Sequence, residues 1–233
     1  MSEKPRICLI YTGGTIGMVE TSDGLRPPEK PSDFLKIAPE LEEFVEIDFV
    51  PLLNKDSTNM NPSDWEKMAR AVHERRNDRY EGFVIAHGTD TMHFSASALA
   101  FALGRNLNFP VVFTGAQTIP KVLHGDARIN LVRACRVALE SLAEVVISFG
   151  DFVFRGCRAQ KKDERKFDAF ESPAFPPLAY ITETIDLQRP IPREKKDDGR
   201  KEIEFRPHFE KGILQVALIP ILFGMIFAYI ILV

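Results

Sequence analysis

The chain has 233 residues, with 30 Lys and Arg against 33 Asp and Glu for a formal charge of −3, and 45% hydrophobic and 27% charged residues. A chain of this length buries roughly 70% of its unfolded surface, and this composition excludes a collagenous, low-complexity or wholly disordered protein. The slightly negative balance supplies none of the excess positive charge that nucleic-acid binding requires, so no such partner is expected.

Residues 6–14, RICLIYTGG, form an apolar run that ends in glycines, which predicts a buried strand entering a tight loop. Glu46 to Pro51 reads as a second strand. Asn61-Pro62-Ser63-Asp64 then opens a helix with a capping residue and an early proline, and Trp65, Met68, Ala69 and Val72 line its inner face. Gly82 to His87 is a third strand, 91–104 an Ala-rich helix and Pro110 to Gly115 a fourth strand. Asp126 is expected to cap a helix running to about Ser141, followed by a fifth strand from Glu144 to Gly150. Continuously apolar strands alternating with helices demand a parallel sheet covered on both faces, so the fold class is α/β, doubly wound. In such sheets ligands bind beyond the carboxyl ends of the strands, where the loops after strands one to four converge.

Residues 1–188 are assigned to this α/β unit. Residues 189–206, RPIPREKKDDGRKEIEFR, replace apolar periodicity with prolines and mixed charge and read as an exposed linker, leaving 207–233 as a remnant and tail. Cys8, Cys135 and Cys157 are odd in number and lack CxxC pairing, which indicates buried thiols in a reducing compartment, with neither a disulfide framework nor a zinc site. The run Ile7 to Tyr11 is too short for a signal peptide, so the body is expected in the cytosol.

Four loops carry candidate chemistry. Thr12-Gly13-Gly14-Thr15-Ile16-Gly17 follows strand one; its glycines allow close approach of backbone to ligand, and a threonine hydroxyl there is a candidate nucleophile. The competing reading, a phosphate cradle, lacks both the GxGxxG spacing and the P-loop lysine. His87-Gly88-Thr89-Asp90-Thr91-Met92 sets a hydroxyl beside a carboxylate at the end of strand three, though an Asx-capped turn reads equally well. Asp56-Ser57-Thr58-Asn59-Met60 clusters short polar groups suited to a carboxylate or amine, or simply leads into the helix. In Arg155-Gly156-Cys157-Arg158-Ala159-Gln160-Lys161-Lys162 a lysine lowers the pKa of a neighbouring hydroxyl or acts as a base if desolvated, and otherwise the stretch is a solvated basic face. Together they make an acyl-transfer site that calls for no histidine, metal or cofactor. His73 is expected at the surface, and His93 and His124 as structural. Cys8 is expected in the core, and Phe167, Phe170 and Phe175 as packing residues.

TGGTIG, the DSTNM loop, HGTDTM, TGAQ at 114–117, RGCRAQK and FDAFESP at 167–173 resemble, in order and spacing, the bacterial-type, cytosolic (type I) L-asparaginases of the asparaginase and glutaminase superfamily. The resemblance implies that Thr15 attacks the side-chain amide of a small-molecule substrate, L-asparagine, with L-glutamine as the alternative. It implies that Thr89, Asp90 and Lys161 form a second triad. Asp90 with Asp56, Ser57 and Thr58 would hold the substrate's amino and carboxylate groups, and backbone N–H groups near Ala116 would stabilise the oxyanion. It also implies a homo-oligomer. The related amidase subunit that supplies ammonia for transamidation of glutamyl-tRNA is the nearest enzyme alternative. Two departures stand out: Gly24-Leu25-Arg26-Pro27 lacks the loop tyrosine of the family, with Tyr11 a poor substitute, and the resemblance to a second α/β domain stops after Pro220. Gly212 to Pro220 reads as that domain's first strand. The uncharged segment 212–233 has two readings, the end of a truncated product or a helical tail anchor spanning a membrane with the body in the cytosol, since it is long enough for about 30 Å of hydrocarbon. A non-catalytic, membrane-tethered relative that binds an amino acid or full-length chains is the rival from another class.

Overall fold

The computed structural model describes residues 4–22, 24–104, 106–188, 203–209, 214–220 and 226–232. In chain order come β1 (Arg6–Tyr11), the hairpin β2 (Val19–Thr21) and β3 (Gly24–Arg26), helices α1 (Pro31–Ile37) and α2 (Leu41–Phe44), and β4 (Glu46–Pro51). There follow α3 (Pro62–Arg75), β5 (Gly82–Ala86), α4 (Met92–Leu103), β6 (Val111–Thr114), α5 (Ala127–Val137) and β7 (Val145–Phe149). The remaining strands are β8 (Phe152–Arg155), β9 (Gln160–Lys161), β10 (Phe170–Glu171), β11 (Ala179–Ile181), β12 (Ile185–Leu187), β13 (Leu214–Pro220) and β14 (Ile226–Leu232).

One sheet holds eight strands in the order β12-β11-β8-β7-β6-β5-β1-β4. β4, β1, β5, β6 and β7 are parallel, as their uninterrupted apolar runs require. β8, β11 and β12 extend the sheet antiparallel, an addition the sequence pattern did not announce. Alternation along β1 shows how both faces are filled: Ile7, Leu9 and Tyr11 pack with Phe34, Leu41 and α5 on one side, while Cys8 and Ile10 pack with α3 and α4 on the other. Burial pushes the Cys8 thiol up to about 12 and raises Cys135 likewise, so both are inert core groups.

The chain leaves β1 toward β4 and then returns past β1 to β5, so the strand order reverses between β1 and β5. That switch point opens a crevice at the carboxyl ends, where the loops after β1, β4, β5 and β6 meet. α4 and α5 advance in the same direction along the sheet but cover opposite faces, so the β6–α5–β7 crossover has the opposite hand to the others. This departure sets the start of α5 next to the turn after β1.

Three expectations change. The fifth helix ends at Val137 rather than Ser141, and Asp126 stands at its N-cap position without a side-chain cap bond, because its carboxylate faces the loop after β6 instead. Residues 189–202 of the expected linker lie outside the described residues; within 203–206, Glu204 and Arg206 are exposed while Ile203 is buried. Arg206 N–H donates to Ala102 O at 2.7 Å and Phe205 stacks on His73 at 4.0 Å, so this stretch packs on the domain and leaves His73 half-buried. Lastly, the apolar segment is not a helix where it is described: β13 and β14 pair antiparallel from Leu214↔Leu232 to Pro220↔Ile226. Among the described residues no helix is long and apolar enough to cross a membrane, so the helical anchor finds no support. The expected first strand of a second domain, Gly212 to Pro220, coincides with β13 over Leu214–Pro220.

Candidate active site

The turn after β1 exists because two glycines permit it. Gly13 and Gly14 have φ of 130° and 84°, and a Cβ on Gly13 would lie 1.9 Å from Lys55 O, one on Gly14 2.7 Å from the Gly88 backbone. Three loops therefore close on one another at backbone contact. Buried Tyr11, whose phenol burial pushes up to about 12, donates to Gly14 O at 3.2 Å and braces the turn from beneath. Leu25, where the family's loop tyrosine is missing, is exposed on β3. Thr15 begins a single 3-10 turn, and its hydroxyl donates to Ala116 O at 2.7 Å.

The loop after β5 is fixed by His87. Its ring is fully buried, Nδ1 donates to Gly88 O at 2.7 Å, and burial pushes its pKa down to about 4, so it is a neutral structural group. Beyond it Thr89 and Asp90 meet Lys161 from β9. The Lys161 ammonium, almost wholly covered, donates to Thr89 Oγ1 at 3.1 Å and to Asp90 Oδ1 at 2.5 Å. Thr89 in turn donates to Gln117 Oε1 at 3.0 Å. His93 in the next turn is half-buried; burial and then the Lys161 charge lower its pKa.

Gln117 was not anticipated as a site residue, although TGAQ was singled out. Its amide Nε2 donates to Asp163 O and Lys166 O, tying the loop after β6 to the loop after β9. The carboxylate of buried Asp126 accepts from the N–H groups of Gln117 and Thr118, from Thr118 Oγ1 and from Asn130 Nδ2, which fixes the loop that presents Ala116 and Gln117. No local pattern marks such a long-range anchor.

On the far wall, Asp56 accepts from Thr58 N–H and Thr58 Oγ1, bonds that hold its carboxyl below the usual range. Ser57 is buried, with its Oγ lacking any partner. Thr91 Oγ1 donates to Ser57 O at 2.6 Å and joins the loops after β4 and β5. Behind them Asn61 and Asp64 form a capping box at the start of α3. Asp64 is buried, which disfavours its charge, but Lys55 at 2.6 Å, the Asn61 N–H and Lys67 outweigh that and lower its pKa.

These loops enclose a cavity of about 420 Å³, lined by Thr15, Asp56, Ser57, Thr89, Asp90, Ala116 and Lys161, together with Gln117, Lys55 and Glu164. Seven of the eight residues picked from sequence thus share one cavity. The eighth, Thr58, is exposed and turned onto Asp56. Ala116 lines the cavity, and its carbonyl accepts the Thr15 hydroxyl. A hydroxyl at the switch point, a second hydroxyl bonded to an ammonium, three carboxylates and an unsatisfied buried serine suit a small zwitterionic ligand.

The family profile described as asparaginase, N-terminal, matches residues 6–193. L-asparaginase 1 of Escherichia coli (strain K12) is 40% identical over 185 residues, covering 76% of this chain and 53% of the relative. The 60 kDa lysophospholipase of Mus musculus is 34% identical over 248 residues, 94% of this chain and 43% of its own length. Among solved structures, the thermostable L-asparaginase from Thermococcus kodakarensis superposes with a TM-score of 0.77 at 32% identity, covering 87% of this chain and 60% of that one. The chain spans about half the length of the curated relatives it matches. Matched by the profile over most of its length and by the fold and order of its site loops, the chain belongs to the asparaginase N-terminal family.

Proposed function

We propose that this chain carries the nucleophile-bearing half of an L-asparagine amidohydrolase. The observation that supports it most is that Thr15, on the loop after β1, faces the same cavity as Thr89 and Asp90, on the loop after β5, and Lys161 of β9. Thr15 Oγ would attack the side-chain carbonyl carbon of asparagine, the C–N bond would break, and ammonia would leave with the proton from the hydroxyl. Water would then cleave the aspartyl ester, releasing L-aspartate and restoring the Thr15 hydroxyl. In the resting arrangement the Thr15 proton points at a carbonyl oxygen, which is no base, so attack requires the hydroxyl to rotate from Ala116 O toward the cavity.

Asp90, about half exposed beside Lys161, would receive the substrate ammonium, and Ser57, with its unpartnered hydroxyl, the carboxylate. Lys161 and Thr89 would hold and pass the proton. Asparagine and glutamine differ by one methylene, a difference binding resolves by only about 1–3 kcal/mol, so the proposal covers glutamine as a second substrate. By the family resemblance the working form would be a homo-oligomer, which sedimentation of the purified chain tests, with its site in the cytosol.

The test is ammonia release from L-asparagine by the full chain beside Thr15→Ala at matched concentration. Release by the parent and loss of at least about 10³-fold in the variant, with folding unchanged, is the expected result. Equal release by both would overturn Thr15 as nucleophile, and none by a folded parent would overturn the hydrolase reading.

A further inference from the structure

Loops of the cavity's two walls each run into a helix, and those helices are tied together one turn behind the site. Trp65 is the fourth residue of α3, which follows the Asp56–Ser57 loop, and Ser95 is the fourth residue of α4, which follows Thr89–Asp90. Trp65 Nε1 donates to the buried Ser95 Oγ at 3.0 Å. At the cavity itself Thr91 Oγ1 reaches Ser57 O, and the Ser95 N–H closes onto Thr91 O at 3.1 Å, so the bond behind and the bond in front share one short stretch of backbone. From outside, Phe209 meets the Trp65 indole edge-on at 5.9 Å, while Phe205 stacks on His73 further along α3. The indole is thus held between a strap of the chain and the neighbouring helix, with its one polar atom spent on Ser95.

We propose that the Trp65–Ser95 hydrogen bond is the spacer that sets the distance between the Ser57 and Asp90 walls, making Trp65 and Ser95 positioning residues that select substrate length. Neither lines the cavity. The inference rests on the hydrolase reading above. A rigid span admits a four-carbon amino-acid amide in register with Thr15; a loosened span lets the walls part and admits the homologue one methylene longer. The length preference, not the chemistry, is what the spacer controls.

The experiment compares kcat and KM for L-asparagine and L-glutamine in the full chain, Ser95→Ala, Trp65→Phe and the double variant, with melting curves for each. The expected result is a fall of about fivefold or more in the preference for asparagine, carried by KM, with kcat for asparagine within about twofold and no further loss in the double variant. Trp65 is the chain's single tryptophan, so its emission shifts in Ser95→Ala whether or not the protein turns over. An unchanged preference in folded variants, or a proportional loss on both amides that tracks the folded fraction, would overturn the spacer. Should the parent release ammonia from neither amide, the hydrolase reading falls by itself. The spacer is then decided by calorimetric affinities for L-aspartate against L-glutamate: a shifted ratio in Ser95→Ala upholds it, while an unshifted ratio or no binding to the parent overturns it.

Discussion

Lys161 donates to Thr89 across 3.1 Å although 72 residues separate them, and the sheet's edge is what joins them. With the lysine side chain 8% exposed and Asp90 48% exposed, the ammonium sits at the boundary between a dry wall and a wet one. Lys161→Met keeps most of the apolar stem and removes the donor to both partners. We expect ammonia release to fall by about 10²- to 10⁴-fold with KM changed far less, as removal of a proton-handling group does. A loss confined to KM would make Lys161 a binding residue only.

Gly13→Ala tests the convergence of loops. The added methyl would overlap Lys55 O, which is backbone and has no rotamer to escape into, at a φ that L residues rarely adopt. The turn must open, and Thr15 with it. Loss of activity together with a melting temperature lowered by several degrees is expected, corresponding to about 2–4 kcal/mol. An active, equally stable Gly13→Ala protein would show that the loop has slack the structure does not display.

Sequence and structure agree where the chemistry is local. The five parallel strands were legible because burial on both faces leaves no exposed position in β5 or β7, and the site loops because glycines and short hydroxyl residues follow strand ends. β8, β11 and β12 were not, since strands of three or four residues are too short to show a period. Residues 203–209 carried a signal that charge obscured: Ile203, Phe205, Pro207 and Phe209 alternate with Glu204, Arg206 and His208. The apolar tail misled for the opposite reason, because a run without charged residues has no period to separate a membrane helix from paired strands.

Asp126 offers a test of what sequence could not reveal. Its carboxylate gathers three donors from Gln117 and Thr118, on the loop after β6, and a fourth from Asn130 of α5. Asp126→Ala takes this acceptor from the loop's donors, at about 1–3 kcal/mol for each that water cannot reach. We expect thermal stability to drop by several degrees and kcat to fall more than KM rises, because Gln117 braces Thr89 and Ala116 receives the Thr15 hydroxyl. Chemical denaturation with unchanged midpoint and slope would refute the anchoring role.

His87 makes acid sensitivity calculable. Burial lowers its pKa from an ordinary value near 6.5 to about 4, so the unfolded chain takes up a proton that the folded chain refuses. Above pH 6.5 the residue leaves stability independent of pH; between 6.5 and 4 stability falls as the pH is lowered, and below 4 the folded state also protonates and the effect is complete. The whole loss is about 3 kcal/mol, from roughly 1.4 kcal/mol for each pKa unit. His87→Gln keeps a side chain able to donate to Gly88 O but cannot titrate, so its denaturation midpoint should change less than the parent's between pH 7 and pH 4.5. Parallel pH profiles for the two proteins would mean that the ring is protonated, or reached by water, in the folded chain.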